Sequence, residues 1–318
     1  DSERSRGLGD VYKRQTLIVL GTGGSSLGAK SLISALKKSP SRDGSASKTV
    51  HFVENLDPSH IHKIIETCDL KQTAVALVSK SGKTLESTSA YLRIQAEFEK
   101  AGCKIYDHSI FIASKDNNPL FALSQRNNVP FLEIPQLTGG RFCIFTSAGL
   151  FPAAFAGIDL SKFCTRAQEV LSLENSNDHL WSFAQRIFEL EEAGIDVHVC
   201  MPYNNSLKEF SYWFRQLWGE SLSKKKNHYL SVGATPLAAL GAIDQHSLLQ
   251  SFSEGPNRYL CGFIKVLNWE NDDFKFSTKE SDFSSLGSIN GMRLGEILNL
   301  QLEATKKSLQ EKGRPTYT

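Results

Sequence analysis

The chain has 318 residues, 40 % apolar and 22 % charged, with 36 basic against 34 acidic side chains and a formal net charge of +2. That is ordinary globular composition, which excludes a disordered or fibrous protein and leaves no broad field of one sign to attract nucleic acid or an anionic membrane. The longest apolar run, Ala148 to Ile158, contains Pro152 and falls short of the roughly 20 residues a spanning helix needs, while six scattered cysteines without a CxxC pair fit reduced thiols in a cytoplasmic protein better than a disulfide framework or a zinc site.

In chain order, Asp1 to Gln15 is charged, lacks the apolar stretch of a secretory signal, and fits nothing after it. Residues 1–15 are therefore expected to be an unmatched leader: a tag or adaptor remnant, or the stray end of a longer gene. Regular patterning begins with a buried-strand signal at Thr16–Leu20, then GTGGSSLG and a helix over Ala29–Lys37. Ser39–Lys48 reads as a polar turn, Thr49–Val53 as a strand, Ser59–Thr67 as an amphipathic helix and Thr73–Val78 as a third strand. SKSGKTLES and a helix to about Lys100 follow, with further strands at Ile110–Ala113 and Pro130–Ile134. Strand, loop and helix in repetition predict parallel strands with helices on both faces. After the apolar segment Ser147–Gly157, a second unit shows helices over Leu180–Ala193 and Leu207–Trp218, a strand at Val197–Met201 and a helical stretch over Pro236–Ser251. A strand at Gly262–Leu267, a charged loop over Trp269–Ser285 and a helix from Leu294 to about Gln310 complete it.

Two strand-to-helix loops could carry chemistry. Gly21-Thr-Gly-Gly-Ser-Ser-Leu-Gly28 lets backbone approach an anion at a helix N-terminus. It departs from the dinucleotide fingerprint, because Ser26 holds the third glycine position, although Glu54 lies where a ribose-binding acid would. Ser79-Lys-Ser-Gly-Lys-Thr-Leu-Glu86 superficially resembles a nucleotide P-loop, but Leu77 stands where that motif needs glycine. Its hydroxyls could simply cap a helix. Two such loops, after the first and third strands, favour a phosphate monoester instead. His60 and His62 have no third ligand beside them, so no metal is expected, and Lys224 to Lys226 reads as a solvated basic face.

The pair of loops resembles the phosphate site of the sugar-isomerase (SIS) fold. Gly139-Gly-Arg-Phe142 followed by Ser147-Ala-Gly-Leu150, Gln216-Leu-Trp-Gly-Glu-Ser221, and Asp244-Gln-His-Ser247 resemble, in order, the GGR-F, SAxGL, QLxxES and QHS segments of the glucose-6-phosphate isomerase family. The resemblance runs from about Thr16 to the C-terminus. It implies two SIS-type, flavodoxin-like α/β/α domains with mainly parallel sheets, 16–158 with the phosphate loops and 159–318 with the base and ring-opening residues.

It further implies cofactor-free interconversion of glucose 6-phosphate and fructose 6-phosphate through a cis-enediol. Ser25, Ser79, Lys80, Ser81, Thr84 and Gln216 would hold the phosphate end, with Gly23, Gly24 and Gly140 as loop glycines. Glu220 would shuttle the proton, Arg141 would stabilise the enediolate, and His246 would assist ring opening in the neighbouring subunit of a homodimer. Gly82 and Lys83 replace the family's aromatic residue and threonine, and Lys83 could be an extra phosphate partner. Two alternatives stand beside this reading. Another SIS isomerase would share the loops but lack the later segments in this order, and a sugar-phosphate sensor would carry a DNA-binding unit that is not evident. The family ends in a helix bearing an active-site lysine, whereas Lys306, Lys307 and Lys312 lie in a pattern that reads as solvated. The expectation is therefore a chain truncated at both ends, with the second domain C-terminally incomplete.

Overall fold

Strands β1 (Thr16–Leu20), β3 (Thr73–Val78) and β4 (Ser109–Ala113) are buried at nearly every position. Parallel strands covered on both faces have this unbroken apolar pattern. They belong to a computed structural model that describes residues 9–37, 48–172, 177–225, 231–277 and 284–318. The chain forms two compact units that divide after Leu173.

In the first unit, β1, β3 and β4 are joined by β2 (Thr49–Val53) and β5 (Phe131–Glu133) in an all-parallel sheet of order β2-β1-β3-β4-β5, the flavodoxin-like order. Alternate residues feed two cores. Ile18, Leu20, Val75, Leu77 and Phe111 pack on α3 (Pro58–Thr67) and α4 (Leu85–Lys100) through Ile61, Ile64, Ile94 and Phe98. Leu17, Val19, Ala76, Val78, Ile110 and Ile112 face α6 (Ser147–Phe155) through Phe151 and Phe155. This gives the three-layer arrangement that the alternation of strands and helices predicts. Local chemistry sets the helix starts. Asp57 caps α3 by accepting from the Ser59 and His60 N–H groups, with Pro58 in the first turn, and Asn118 caps α5 (Pro119–Asn127) in the same way.

Two expectations change in this unit. The segment expected as an unmatched leader contributes α1 (residues 9–13): Val11 is buried in the second core, and the Tyr12 ring meets Phe151 edge-on at 5.4 Å. One Val–Tyr pair among charges offers no period to read, which is why the sequence pattern hides it. Residues 1–8 of that leader, and most of the polar turn at 39–48, lie outside the described residues. The division also falls after Leu173 rather than after Ile158. Phe163 of α7 (Leu160–Ser172) stacks on Phe145 with ring centroids 5.0 Å apart, tying that helix to the first unit.

The second unit has a four-stranded parallel sheet of order β11-β10-β6-β9. The strands are β6 (Val197–Pro202), β9 (Thr235–Ala238), β10 (Tyr259–Ile264) and β11 (Thr316–Tyr317). Val199, Met201, Cys261 and Phe263 pack on α10 (Gln245–Glu254) and α11 (Leu294–Glu311) through Phe252, Leu302 and Leu309. α8 (Asn177–Glu192) adds Ile187 and Leu190 to a smaller cluster with Ile195, Leu260 and Trp218, the last from α9 (Lys208–Leu222). The helix expected over Pro236–Ser251 is two elements. Pro236 lies in β9 opposite His198, and the helix starts only at Gln245. β9 is an edge strand, where a residue without an N–H is tolerated, so an apolar PLAAL run that reads as helix is held as strand by its partner. The expected basic face is a short hairpin: Lys224–Lys225 form an exposed β7 paired with β8 (Ser231–Val232), and Lys226 lies outside the described residues.

His198 on β6 is 1 % exposed, packs edge-on against Trp218 at 4.2 Å, and its Nε2 lies 2.7 Å from the Tyr317 hydroxyl. Burial holds its pKa down at about 4. The unfolded chain, with an ordinary histidine near 6.5, binds a proton that the folded state refuses, so this group lowers stability as pH falls from about 6.5 toward 4. His198→Phe should therefore weaken the pH dependence of the urea unfolding free energy by about 2 kcal/mol between pH 7 and pH 5. An equal slope in both proteins would show that His198 is not the titrating group.

Candidate active site

The loops after β1 and β3 leave the carboxyl ends of neighbouring strands. The chain runs from β1 outward to β2 and then returns to add β3 on the other side of β1. In open α/β sheets this reversal opens a ligand crevice at the strands' carboxyl edge.

In the first loop, Gly23 has a φ of +56°, which favours glycine. A Cβ on Gly24 would collide with the Gly140 carbonyl and lie 2.9 Å from the Arg141 nitrogen. Glycine at 24 thus brings the loop backbone directly against the Gly139-Gly-Arg segment. Gly140 has open space at its own Cβ position, so its part in this approach is to offer its carbonyl face. Ser25 closes a 3-10 turn, half-buried, beside this junction. Glu54, which could have been a ribose-binding acid, instead accepts from the Ser26 hydroxyl at 2.5 Å and pairs with Lys30 at 2.7 Å. The Thr22 hydroxyl donates to the Glu54 carbonyl at 3.1 Å. This network anchors the glycine turn from behind. Sequence reasoning missed it, although Ser26 and Lys30, one turn apart at the start of α2 (Leu27–Leu36), were a usable signal.

In the second loop, Ser79 is buried and its Oγ lies 2.8 Å from the Thr84 Oγ1. Thr84 occupies the N-cap position of α4 but makes no side-chain cap bond. The helix-cap explanation of these hydroxyls therefore does not describe the loop: Thr84 turns toward Ser79. Ser81 is exposed, its Oγ accepting from the Lys83 N–H at 3.2 Å, and Lys80 is half-buried. The Lys80 charge is felt at Cys143, whose thiol is pushed up by burial and drawn down by the Thr146 hydrogen bond and by Lys80. Lys80 thereby lies near the 3-10 turn Gly140–Phe145 that carries Arg141. Gly82, at φ +67°, abuts the Asn118 side chain, and a Cβ there would strike the Asn118 Oδ1. Arg141 is half-buried, its guanidinium 4.5 Å above the Phe142 ring. The first unit therefore brings Ser25, the Ser79–Thr84 loop and Arg141 to one edge of one sheet.

In the second unit, Gln216 and Glu220 lie one turn apart on α9, and the Gln216 Nε2 donates to the Glu220 Oε1 at 2.9 Å. Glu220 is exposed and Gln216 half-buried. His246 is exposed at the start of α10. Its neighbour Gln245 is tied inward, donating to the Tyr203 hydroxyl at 2.6 Å and to Thr305. Lys307 pairs with Glu311 at 3.9 Å and Lys312 pairs with Glu254, as surface lysines do. Among the described residues no group of three His, Cys, Asp or Glu could hold a metal, and no helix is long and apolar enough to cross a membrane. The His62 ring meets Glu66 at 3.2 Å.

A 2-1-3-4-5 parallel sheet with hydroxyl-rich loops at its reversal point, followed by a second parallel α/β unit, defines a doubly wound α/β protein with a crevice of anion-binding type. A family model described as phosphoglucose isomerase matches residues 7–286. The chain belongs to the phosphoglucose isomerase family. It is 33 % identical over 303 residues to a probable glucose-6-phosphate isomerase of Haloquadratum walsbyi, an alignment covering 94 % of this chain and 67 % of that one. The chain spans about two thirds of the length of the first curated relatives it matches. A hypothetical protein from Thermus thermophilus superposes with a TM-score of 0.85 at 28 % identity, covering 99 % of this chain and 74 % of its own. A glucose-6-phosphate isomerase structure from Chlamydia trachomatis shares the fold, with a TM-score of 0.77 at 24 % identity over 97 % of this chain and 59 % of that one.

Proposed function

We propose that this chain interconverts glucose 6-phosphate and fructose 6-phosphate. The carrying observation is the placement of two hydroxyl-rich loops on neighbouring strands, with the arginine-bearing turn packed backbone to backbone against the first. Such a site offers N–H groups, hydroxyls and cations to a phosphate monoester without a metal. Ser25, Ser79, Lys80, Ser81 and Thr84 hold the phosphate end, joined by Gln216.

Glu220 removes the C2 proton of the open-chain aldose, and the electrons flow through C1 to give a cis-enediolate whose developing oxygen charge Arg141 stabilises. Returning the proton to C1 while O2 loses its hydrogen and O1 gains one gives the ketose. Atoms and electrons balance within the sugar, so no cofactor takes part. The Gln216 amide fixes one oxygen of Glu220 and thereby orients the carboxylate. His246, with its ring exposed and its backbone anchored through Gln245, opens the sugar ring in the neighbouring subunit of a cytoplasmic homodimer. A coupled assay that follows glucose 6-phosphate formed from fructose 6-phosphate tests the reaction. Binding of fructose 6-phosphate without turnover would overturn it in favour of a sugar-phosphate sensor. Sedimentation that finds only a 35.3 kDa species at assay concentration would overturn the shared site.

A further inference from the structure

The Lys80 carbonyl accepts three hydrogen bonds: from the Asn118 Nδ2 at 2.8 Å, the Ser114 Oγ at 2.8 Å and the Ser114 N–H at 3.1 Å. A carbonyl has two lone pairs, so three donors saturate this one, and both side chains that contribute are buried. A trans peptide is planar, so fixing the Lys80 carbonyl also fixes the Ser81 N–H in the opposite direction, away from β4 and α5. Asn118 reaches this position because residue 82 is a glycine: its Oδ1 lies where a Cβ on Gly82 would stand. The same Oδ1 accepts from the Leu120 N–H at 2.9 Å, capping α5. One buried amide thus connects the start of a helix to the middle of the phosphate loop.

We propose that Asn118 and Ser114 are positioning residues that hold the Lys80–Ser81 peptide in its anion-binding orientation. Gly82 is then the steric condition for that clamp. This rests on the phosphate role of the Ser79–Thr84 loop. The clamp removes the need for the loop to order itself when substrate arrives, so losing it weakens ground state and transition state alike and shows in KM rather than kcat.

Asn118→Asp keeps the oxygen that caps α5 and removes the donor to Lys80, while Ser114→Ala removes a donor to the same carbonyl without adding charge. Each is expected to raise KM for fructose 6-phosphate, and the inhibition constant of inorganic phosphate, about fivefold to tenfold, as loss of one hydrogen bond does. kcat should stay within about twofold for both, and the melting temperature within a few degrees for Ser114→Ala. Asn118→Asp, which sets a buried carboxylate oxygen against the Lys80 carbonyl, should melt lower and is assayed below its transition. A purely structural cap predicts no change in KM for Asn118→Asp, and that result overturns the proposal. So does a rise in Asn118→Asp alone, which would mark charge repulsion. Ser79→Ala with Thr84→Ala reports separately on the phosphate reading. If that pair raises KM while Asn118→Asp and Ser114→Ala do not, the clamp fails and the reading stands. If none of them moves KM, the reading itself fails.

Discussion

Replacing Glu220 with glutamine is expected to lower kcat by roughly 10²–10⁴-fold, the contribution of one positioned base. In the proposed mechanism the same carboxylate takes the proton from C2 and returns it to C1, so both halves of the reaction would lose their shuttle. Glutamine keeps the size of the side chain and can still hydrogen-bond Gln216, one turn before it on α9. Because residue 220 is exposed, stability should change by less than about 0.5 kcal/mol, which separates lost chemistry from lost folding. KM for fructose 6-phosphate should stay within a few fold, because the phosphate contacts remain. The check is a coupled assay with a thermal melt, together with release of deuterium from C2-labelled glucose 6-phosphate into water. A variant that retains more than about a tenth of wild-type turnover excludes Glu220 as the base.

Ser79→Ala combined with Thr84→Ala should act in the opposite sense, raising KM by roughly 10- to 100-fold with kcat within about threefold, as two lost hydroxyl contacts of about 1 kcal/mol each predict. The two oxygens lie 2.8 Å apart at the mouth of β3, where their O–H groups can turn outward and donate to phosphate oxygens. In the proposed mode both hydroxyls meet the phosphate and not the carbons that exchange the proton, so ground state and transition state would lose equally. Removing both at once avoids leaving one buried hydroxyl without its partner, a separate penalty that a single substitution would add. An unchanged KM would end the assignment of this loop to phosphate.

The first sheet was legible because its strands are buried on both sides. TLIVL and TAVALV leave no polar alternation to mislead the reading, and glycine or serine clusters mark where each strand ends. β9 was not legible: PLAAL satisfies a helical pattern, and only pairing with β6 makes it a strand. α1 was hidden for a related reason, since Val11 and Tyr12 are apolar only in relation to Phe151 and Phe155, more than a hundred residues later. At the candidate site, the two hydroxyl-rich loops could be found by chemical type, because Gly, Ser, Lys and Thr at strand ends are visible in a string of letters. Arg141, Gln216, Glu220 and His246 stood out only through the resemblance of their segments to the family. The residues that hold the loops could not be found, because Glu54 on Ser26 and Asn118 on Lys80 are contacts between segments far apart in the chain. Glycines fell between these cases. Gly24 was readable as backbone that approaches something, but the carbonyl it meets was not.

The order in which strands occupy the first sheet also bears on how the chain is made. β1 can pair with β2 soon after synthesis, but its other edge waits for β3, which joins at Thr16 opposite Thr73. Until then TLIVL presents open hydrogen-bonding groups with apolar side chains above and below, the profile of a segment that adds to other chains. Non-local parallel pairing is slow because closure entropy is spent before contacts repay it. Recovery of native protein should therefore depend on nascent-chain concentration and temperature more steeply than its final stability suggests, with slow expression in the cold favouring the soluble form.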